Sequence, residues 1–223
     1  MSDGLGLDRI EVADGRAEIG AAVTMAQIAR RPELAFLKPV ATSIGGPAVR
    51  AMATVGGNLF APHPYGDFTV AMLALGAEIL AQDSERSETI DLEAFLTARE
   101  NAPGRIVRRV SFALPPPGSF RFAKVVRKRP HGASVLSIAG CLPIADGSVN
   151  GARIAYGAMA PIPMRARAVE RALEGWPLDA QAISAAAAVA AGGCAPLSDP
   201  QASEWYRLTV LPVHLTRLLQ RNS

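Results

Sequence analysis

The stretch ATVGGNLFAPHPYGDFTVAMLALGA, residues 53–77, decides how this chain is interpreted. It opens with a glycine-rich segment at 54–58 and continues through a turn broken by two prolines at 61–66. Asp67 then precedes an apolar run at 68–75, which Gly76 follows. This order predicts a glycine loop, a proline-broken turn and a helix that Asp67 caps and Gly76 ends.

The glycine loop can bind an anion. Glycine reaches positive φ without steric cost, so consecutive backbone N–H groups can converge on a ligand. The helix that begins near Asp67 adds partial positive charge and N–H donors. Together with a hydrogen bond from Asn58, these groups can seat a pyrophosphate. The same residues also suit an ordinary tight turn, and their spacing matches neither a P-loop nor a Rossmann fingerprint.

Two charged residues allow two interpretations each. Asp67 either only caps its helix or accepts a hydrogen bond from a ribose or ribityl hydroxyl beside the pyrophosphate. Lys124 lies inside an apolar strand pattern. It is either a strand lysine that points to solvent or a charge placed beside a flavin or its phosphates.

The rest of the chain is typical of two α+β units that are joined near residue 117. Thr24 and Gln27 form a capping-box pattern, so a helix should begin there, and Pro32 suits the first turn of a second helix that runs to 45–46. The periodicity predicts strands over 77–82, 106–114, 120–128, 133–145 and 152–160, and helices over 91–98, 165–173, 178–191 and 203–219. Turn dipeptides at 146–147 and 150–151 favour a three-stranded antiparallel sheet in the second unit.

The composition and the first residues indicate the cellular compartment in which the protein is expected. The 223 residues are 49% apolar, which is enough to bury a core. No apolar run approaches the roughly 20 residues that cross a bilayer, so we expect no membrane partner. The first eight residues do not form a secretion signal, so the cytoplasm is the expected compartment. Cys141 and Cys194 are expected to be reduced thiols.

The charge is uneven. Residues 99–131 carry nine basic side chains against Glu100 alone. Such a stripe can face nucleic acid, an acidic protein surface or an anionic cofactor. It lacks interleaved aromatic residues, so we expect no nucleic-acid partner. The spacing of His63, His131 and His214 predicts neither a metal site nor a catalytic triad.

These motifs together resemble one family, the flavoprotein (medium) subunit of the xanthine dehydrogenase and carbon monoxide dehydrogenase group of molybdenum hydroxylases. Segments 53–59, 64–67 and 73–77 resemble its second flavin motif. Further matches follow in the family's order at 106–112, 122–125, 156–161 with 165–166, and 198–203 with 206–207, so the resemblance covers nearly the whole chain.

The resemblance implies an α+β fold. Residues 1–117 would form the second subdomain of an FAD-binding (PCMH-type) domain. Residues 118–223 would form the C-terminal domain, a three-stranded antiparallel sheet plus helices. Family members begin with a βαβ unit whose glycine loop forms the other half of the pyrophosphate cradle. This chain starts near Leu7, in the region that resembles the part after that unit. We therefore expect another segment to supply that half-site or the chain to bind flavin weakly.

The resemblance also implies FAD as the cofactor. Thr54, Gly56, Gly57 and Asn58 would line the pyrophosphate, Asp67 would bond the polyol, and Lys124 would approach the isoalloxazine. The implied cofactor-binding set also contains Ile44 and Gly45, near the flavin ring, and Ala53 and Phe60. The chain would pass electrons from iron–sulfur centres in a small partner subunit to an external acceptor, after a molybdenum cofactor in a large subunit has oxidised the substrate. A flavin-poor scaffold of the same fold is the alternative, and a basic nucleic-acid module is a third hypothesis.

Overall fold

Two antiparallel sheets and the helices around them form the protein. The structure, a computed structural model, describes residues 6–83, 86–98, 105–129 and 132–221. The strands are β1 (Ile10–Ala13), β2 (Arg16–Gly20), β3 (Glu78–Gln82), β4 (Ser87–Asp91), β5 (Ile106–Ala113), β6 (Phe120–Val126), β7 (Ser134–Cys141), β8 (Ile144–Ala145), β9 (Ser148–Val149), β10 (Arg153–Gly157) and β11 (Met164–Arg165). The helices are α1 (Met25–Arg30), α2 (Lys38–Ser43), α3 (Pro47–Met52), α4 (Val55–Leu59), α5 (Asp67–Ala74), α6 (Leu92–Ala98), α7 (Arg167–Leu173), α8 (Ala180–Ala188) and α9 (Glu204–Leu219), with a 3-10 helix at Pro32–Leu37.

The first sheet has the strand order β1-β2-β5-β3-β4, and every pairing is antiparallel. Val110 on β5 stands between Ile19 and Ile79 on the two neighbouring strands, and all three are fully buried. The β1–β2 hairpin was not predicted. Its turn residues, Asp14 and Gly15, both have positive φ, and Asp-Gly is the dipeptide that such a two-residue turn favours.

The second sheet has the order β11-β10-β7-β6. The three predicted strands form its body, and a two-residue edge strand extends it to four. All eight residues of β7 are buried because α5 and α9 both pack against this strand. The turn at 146–147 closes a separate small hairpin, β8–β9, before the chain returns as β10.

Helix α5 joins helices of the first half of the chain to the second sheet. All eight of its residues are buried, and apolar side chains surround it, which is typical of a helix that is covered on every side. It packs against α2, α4 and α6 and also against β7 and β10. The first core cluster accordingly continues into the second sheet at Phe122, Ala139 and Ala155.

The remaining elements mostly follow the predictions. The capping box at Thr24 and Gln27 is present, and α6 to α9 lie where helices are predicted. The single helix predicted from Pro32 is instead a 3-10 helix followed by α2, and α3 begins afterwards at Pro47. Both cysteines are free thiols, and burial raises the pKa of Cys194 to about 11. Among the described helices, none has the length and apolarity needed to cross a bilayer.

Candidate functional site

A cleft of about 430 Å³ lies where the first half of the chain meets β6 and the segment before β7. Eight of the ten predicted cofactor-binding residues line it: Ile44, Gly45, Ala53, Thr54, Gly57, Asn58, Asp67 and Lys124. The other two, Gly56 and Phe60, are not part of the lining. Phe60 instead packs edge-on against Phe95, with ring centroids 5.7 Å apart.

The glycine-rich segment is a short helix, so the prediction of a loop is wrong. Thr54 is the N-cap of α4, and its hydroxyl accepts a hydrogen bond from the N–H of Gly57 at 3.0 Å. Neither Gly56 nor Gly57 is among the residues with positive φ. The segment follows helical geometry because the threonine side chain replaces the missing acceptor of the first turn.

The amides of α4 also have partners within the chain. The N–H of Val55 donates to the carbonyl of Val23 at 2.9 Å, and the N–H of Gly56 donates to Ala21 at 2.8 Å. The N–H of Asn58 donates to the carbonyl of Thr54 at 3.0 Å. The expectation that consecutive amides of this segment converge on an anion is therefore wrong for residues 55–58.

The glycine at position 56 has a packing reason. A Cβ added to Gly56 would lie 3.2 Å from the carbonyl oxygen of Ala21 and 3.3 Å from its Cβ. Both distances are tighter than ordinary van der Waals contact, so glycine allows α4 to approach the end of β2 closely. In this position the glycine serves the contact between two backbones.

Asp67 does not cap its helix, contrary to the prediction. Gly66 is the N-cap of α5, with a left-handed φ of 102°. The Oδ2 of Asp67 instead lies 2.8 Å from the ammonium of Lys124. Its Oδ1 accepts a hydrogen bond of 2.7 Å from the hydroxyl of Ser134. Since Gly66 and Asp67 both line the cleft, the N-terminus of α5 lies at the cleft as expected.

Lys124 points inward, so the solvent-facing interpretation is wrong. Its side chain is 12% exposed, and that of Asp67 is 6% exposed. The ammonium also donates to the carbonyl of Ser43 at 3.0 Å. The pair thus ties β6 to the end of α2 and the start of α5, which are distant in sequence. Two buried opposite charges at this distance offset much of each other's desolvation cost.

The polar groups of this pair keep capacity for a ligand. An ammonium has three N–H donors, and within the described residues Lys124 uses two of them, on Asp67 and on Ser43. A carboxylate has about four lone-pair sites, and Asp67 uses two of them, on Lys124 and on Ser134. One donor and about two acceptor sites suit hydroxyl groups, which both donate and accept.

The remaining lining suits a dinucleotide with a flat ring. Ile44, Val49 and Met52 supply apolar surface. Thr54 keeps its own O–H donor after accepting from Gly57, and the amide of Asn58 uses one N–H on the carbonyl of Thr54 at 3.0 Å. The cleft therefore combines apolar walls with a few fixed polar groups, as cofactor sites do. These residues fit FAD: the side chains of Thr54 and Asn58 keep O–H and N–H donors, whereas the amides of 55–58 are already used within the chain.

Sequence reasoning missed Ser43 and Ser134, which fix the pair from two other elements. Neither residue belongs to a recognisable motif, and each contacts its partner only because the chain folds over distances of 81 and 67 residues. Among the described residues, no group of three or more His, Cys, Asp or Glu could hold a metal ion. His131 lies outside the described residues.

Family models of known proteins match both halves of the chain. Residues 3–115 match the family model described as the FAD binding domain in molybdopterin dehydrogenase. Residues 121–222 match the CO dehydrogenase flavoprotein C-terminal domain.

Individual proteins of this kind are also similar to the chain in sequence and in structure. The chain is 27% identical to the xanthine dehydrogenase FAD-binding subunit of Escherichia coli O157:H7 over 212 residues, which are 89% of this chain and 71% of that protein. It is 26% identical to the glyceraldehyde dehydrogenase medium chain of Sulfolobus acidocaldarius over 174 residues, 77% of this chain and 62% of that protein. In a structure of CO dehydrogenase from Oligotropha carboxidovorans, one chain superposes with a TM-score of 0.88 at 26% identity, covering 97% of this chain and 78% of that one.

Proposed function

This chain belongs to the family of FAD-binding subunits of molybdopterin dehydrogenases, and from that premise we propose that it carries FAD in the cleft beside Asp67 and Lys124 and transfers electrons to an external acceptor. The observation that carries the proposal is the convergence of eight predicted residues on one cleft, with a buried ion pair at its edge. Those residues are spread over 80 positions of sequence, from Ile44 to Lys124, and no packing rule requires them to share a surface.

Each residue of the cleft would have a defined part in binding. The carboxylate of Asp67 and the third N–H of Lys124 would bond the hydroxyls of the polyol chain. Thr54 and Asn58 would donate to the phosphates, and Ile44 and Gly45 would lie near the ring. Ala53 and Gly57 complete the lining, and we retain Gly56 and Phe60 as residues that support α4 from outside the cleft.

The redox chemistry would come from FAD, which when bound accepts and releases electrons, and the protein would supply position and electrostatics. The ammonium of Lys124 places a positive charge at the cleft, which favours a more negatively charged, reduced cofactor. Its ion pair with Asp67 moderates that field and fixes the position of the charge. The low exposure of the Lys124 and Asp67 side chains, 12% and 6%, would strengthen both effects.

The names of similar proteins support a proposal for the partners. One of these proteins is named a medium chain, another a medium subunit and a third a subunit of a dehydrogenase complex. For this chain we propose a hetero-oligomer with a large subunit that carries a molybdenum cofactor and a small subunit that carries iron–sulfur centres. Electrons would enter from the small subunit. We propose no nucleic-acid partner, a domain division near residue 117 and the cytoplasm as the compartment, on the sequence grounds above.

The visible absorption spectrum of the purified chain tests the cofactor proposal. The chain is mixed with FAD and desalted, and we expect flavin bands that remain with the protein. The Lys124→Met variant should lose at least tenfold in FAD affinity, since a hydrogen bond to a charged group is worth about 1.5–3 kcal/mol. Arg16→Gln, which alters an exposed ion pair with Glu78, should bind FAD as the wild type does.

The opposite result favours the scaffold alternative. A wild-type chain that stays colourless after desalting, yet remains folded by circular dichroism, would show that this cleft alone does not hold FAD. The observation that favours this alternative is that the amides of 55–58 already donate within the chain.

A further inference from the structure

The turn at 61–66 forms one wall of the cleft and has few anchors of its own. Ala61, Tyr65 and Gly66 face the cleft from this turn. Inside the turn, the N–H of Tyr65 donates to the carbonyl of Pro62 at 2.8 Å. Among the described residues, one side-chain hydrogen bond joins residues 62–65 to a distant part of the chain, that of His63 with Asp199 at 3.1 Å.

Asp199 is a fixed acceptor. Its Oδ1 accepts from the N–H groups of Gln201 at 2.8 Å and Ala202 at 3.1 Å, and its Oδ2 accepts from Arg207 at 2.8 Å. Desolvation raises the pKa of Asp199, but the hydrogen bonds and the charge of Arg207 outweigh it, so the pKa lies below its usual value. An ionised carboxylate only accepts, so the Nε2 of His63 is the donor.

Arg207 connects this carboxylate to the second sheet. The residue is fully buried. Its Nε donates to the carbonyl of Val135 at 2.8 Å, and its Nη1 donates to the carbonyls of Leu197 and Ala202. A buried guanidinium with this many acceptors cannot move without losing several charged hydrogen bonds at once. It therefore gives the loop that carries Asp199 a fixed position on β7.

The C-terminal end of the turn, at Asp67, is attached to the residue of β7 next to Val135. Ser134, directly before Val135 on β7, donates to Asp67 at 2.7 Å. The segment from His63 to Asp67 is thus held at both ends by adjacent residues of one buried strand. One attachment is direct, through Ser134, and the other runs through Arg207 and Asp199.

We propose that His63 is a positioning residue for the FAD cleft: its hydrogen bond to Asp199 fixes the turn at 61–66 against β7 and so fixes the wall formed by Ala61, Tyr65 and Gly66. This inference rests on the proposed function. His63 is not part of the cleft lining, and its side chain is 13% exposed. It therefore acts through the turn rather than by touching the cofactor.

Two variants of His63 separate the hydrogen bond from the bulk of the side chain. His63→Ala removes the donor, and His63→Gln places an amide N–H near the position of Nε2. As a matched control, Arg127→Gln removes a contact to the same loop, the hydrogen bond to the carbonyl of Pro200 at 2.9 Å, and leaves the contacts of the turn unchanged. FAD affinity, the visible circular dichroism of bound FAD and the melting temperature of the FAD-free chain are measured for each.

We expect His63→Ala to weaken FAD binding by about tenfold, the amount that corresponds to one hydrogen bond to a charged group, and to change the visible circular dichroism of the flavin. His63→Gln should restore both properties, and Arg127→Gln should match the wild type. Wild-type affinity and dichroism in His63→Ala, or a His63→Gln variant as impaired as the alanine variant, would overturn the inference. A melting temperature that falls without any change in the flavin spectrum would reduce His63 to a structural residue and overturn it as well. A wild-type chain that binds no FAD would instead refute the proposed function on which the inference rests.

Discussion

The two polar walls of the cleft are built in opposite ways. The local wall is lined by Thr54, Gly57 and Asn58, which belong to α4 and its N-cap. The hydrogen bonds of this single helical turn close within itself or onto the nearby segment 21–23. The long-range wall is lined by Asp67 and Lys124, with Ser134 as a further partner of Asp67, and these residues come from three elements that are up to 67 residues apart. The local wall has the recognisable motif, but its amides are occupied. The long-range wall has no motif as a set, and it keeps unused donors and acceptors for a ligand.

The difference shows that the residues that are easiest to recognise in the sequence are not those that keep free groups for a ligand. A glycine pair is visible in a sequence because close backbone packing restricts the residue type severely. A buried ion pair leaves a weaker trace, since Asp and Lys are common on surfaces and only the fold shows that these two are buried. We therefore expect changes in the local wall to affect mainly stability, and changes in the long-range wall to affect both stability and cofactor binding.

The largest effect is expected for Lys124→Met. The variant leaves Asp67 ionised and 6% exposed with Ser134 as its remaining partner. Removing one member of a buried pair costs about 3 kcal/mol or more in the free energy of unfolding. Urea denaturation monitored by circular dichroism measures that loss. FAD affinity should fall in the same variant.

An exposed pair in the same chain serves as the control. Arg16 and Glu78 lie 3.1 Å apart with side chains 50% and 48% exposed. Arg16→Met should change the free energy of unfolding by less than about 1 kcal/mol, as is usual for exposed pairs. Equal losses in the two variants would show that burial does not distinguish the long-range wall.

The next effect is expected for Gly56→Val, in α4, the helix that carries the local wall. The first added carbon would already lie 3.2 Å from the carbonyl of Ala21, and a branched side chain would force α4 away from β2. Overpacking of this kind costs about 2 kcal/mol. Gly46→Val is the matched control, because nothing lies within 4 Å of its added Cβ. A tolerated valine at position 56 would contradict the packing role of that glycine.

A smaller effect is expected for Thr54→Ala. The variant removes the side-chain oxygen that caps α4 through the N–H of Gly57, and loss of such a cap costs about 1 kcal/mol. Thr54→Ser keeps the oxygen and should retain most of the stability. If alanine and serine are equally stable in thermal denaturation, the cap does not hold the local wall.

Features of this molecule that depend on neighbouring residues in the sequence could be predicted, whereas features that depend on contacts between distant residues could not. The capping box at Thr24 and the helices α6 to α9 follow from local patterns, and the structure confirms them. The strands of the second sheet follow from alternation and from turn dipeptides. The β1–β2 hairpin had a readable signal in Asp14 and Gly15 and was still missed.

The same distinction between local motifs and long-range contacts applies to the site. Eight residues of the cleft were predicted through family resemblance, because motifs keep their order even where their contacts are not visible. The partners of Asp67 could not be predicted: a carboxylate before a helix is usually its cap. Here Gly66 takes that position, and Lys124 and Ser134 engage the side chain instead. Only the tertiary structure, which brings Lys124 of β6 and Ser134 of β7 to the start of α5, decides between these two roles.

The smallest effect is expected on the melting temperature in acid. It tests the second attachment to β7, which runs from His63 through Asp199 and Arg207. Because the pKa of Asp199 is lower in the folded protein than its usual value of about 3.9, the folded state gains stability from the ionised carboxylate above about pH 4. That stability is lost as the pH falls through the lower folded pKa. The melting temperature of the wild type should therefore fall between about pH 4 and the lower folded pKa.

Asp199→Asn separates this contribution from the acid sensitivity of the other carboxylates. The variant should be less stable at neutral pH, because the fully buried Arg207 loses its charged partner. Its melting temperature should also fall less steeply in acid, since one group with a lowered pKa is gone. Thr54→Ala, which removes no titrating group, should keep the wild-type slope at a lower melting temperature. If the asparagine variant instead keeps the wild-type slope, Asp199 contributes nothing to acid sensitivity, and the link from His63 to β7 does not depend on its charge.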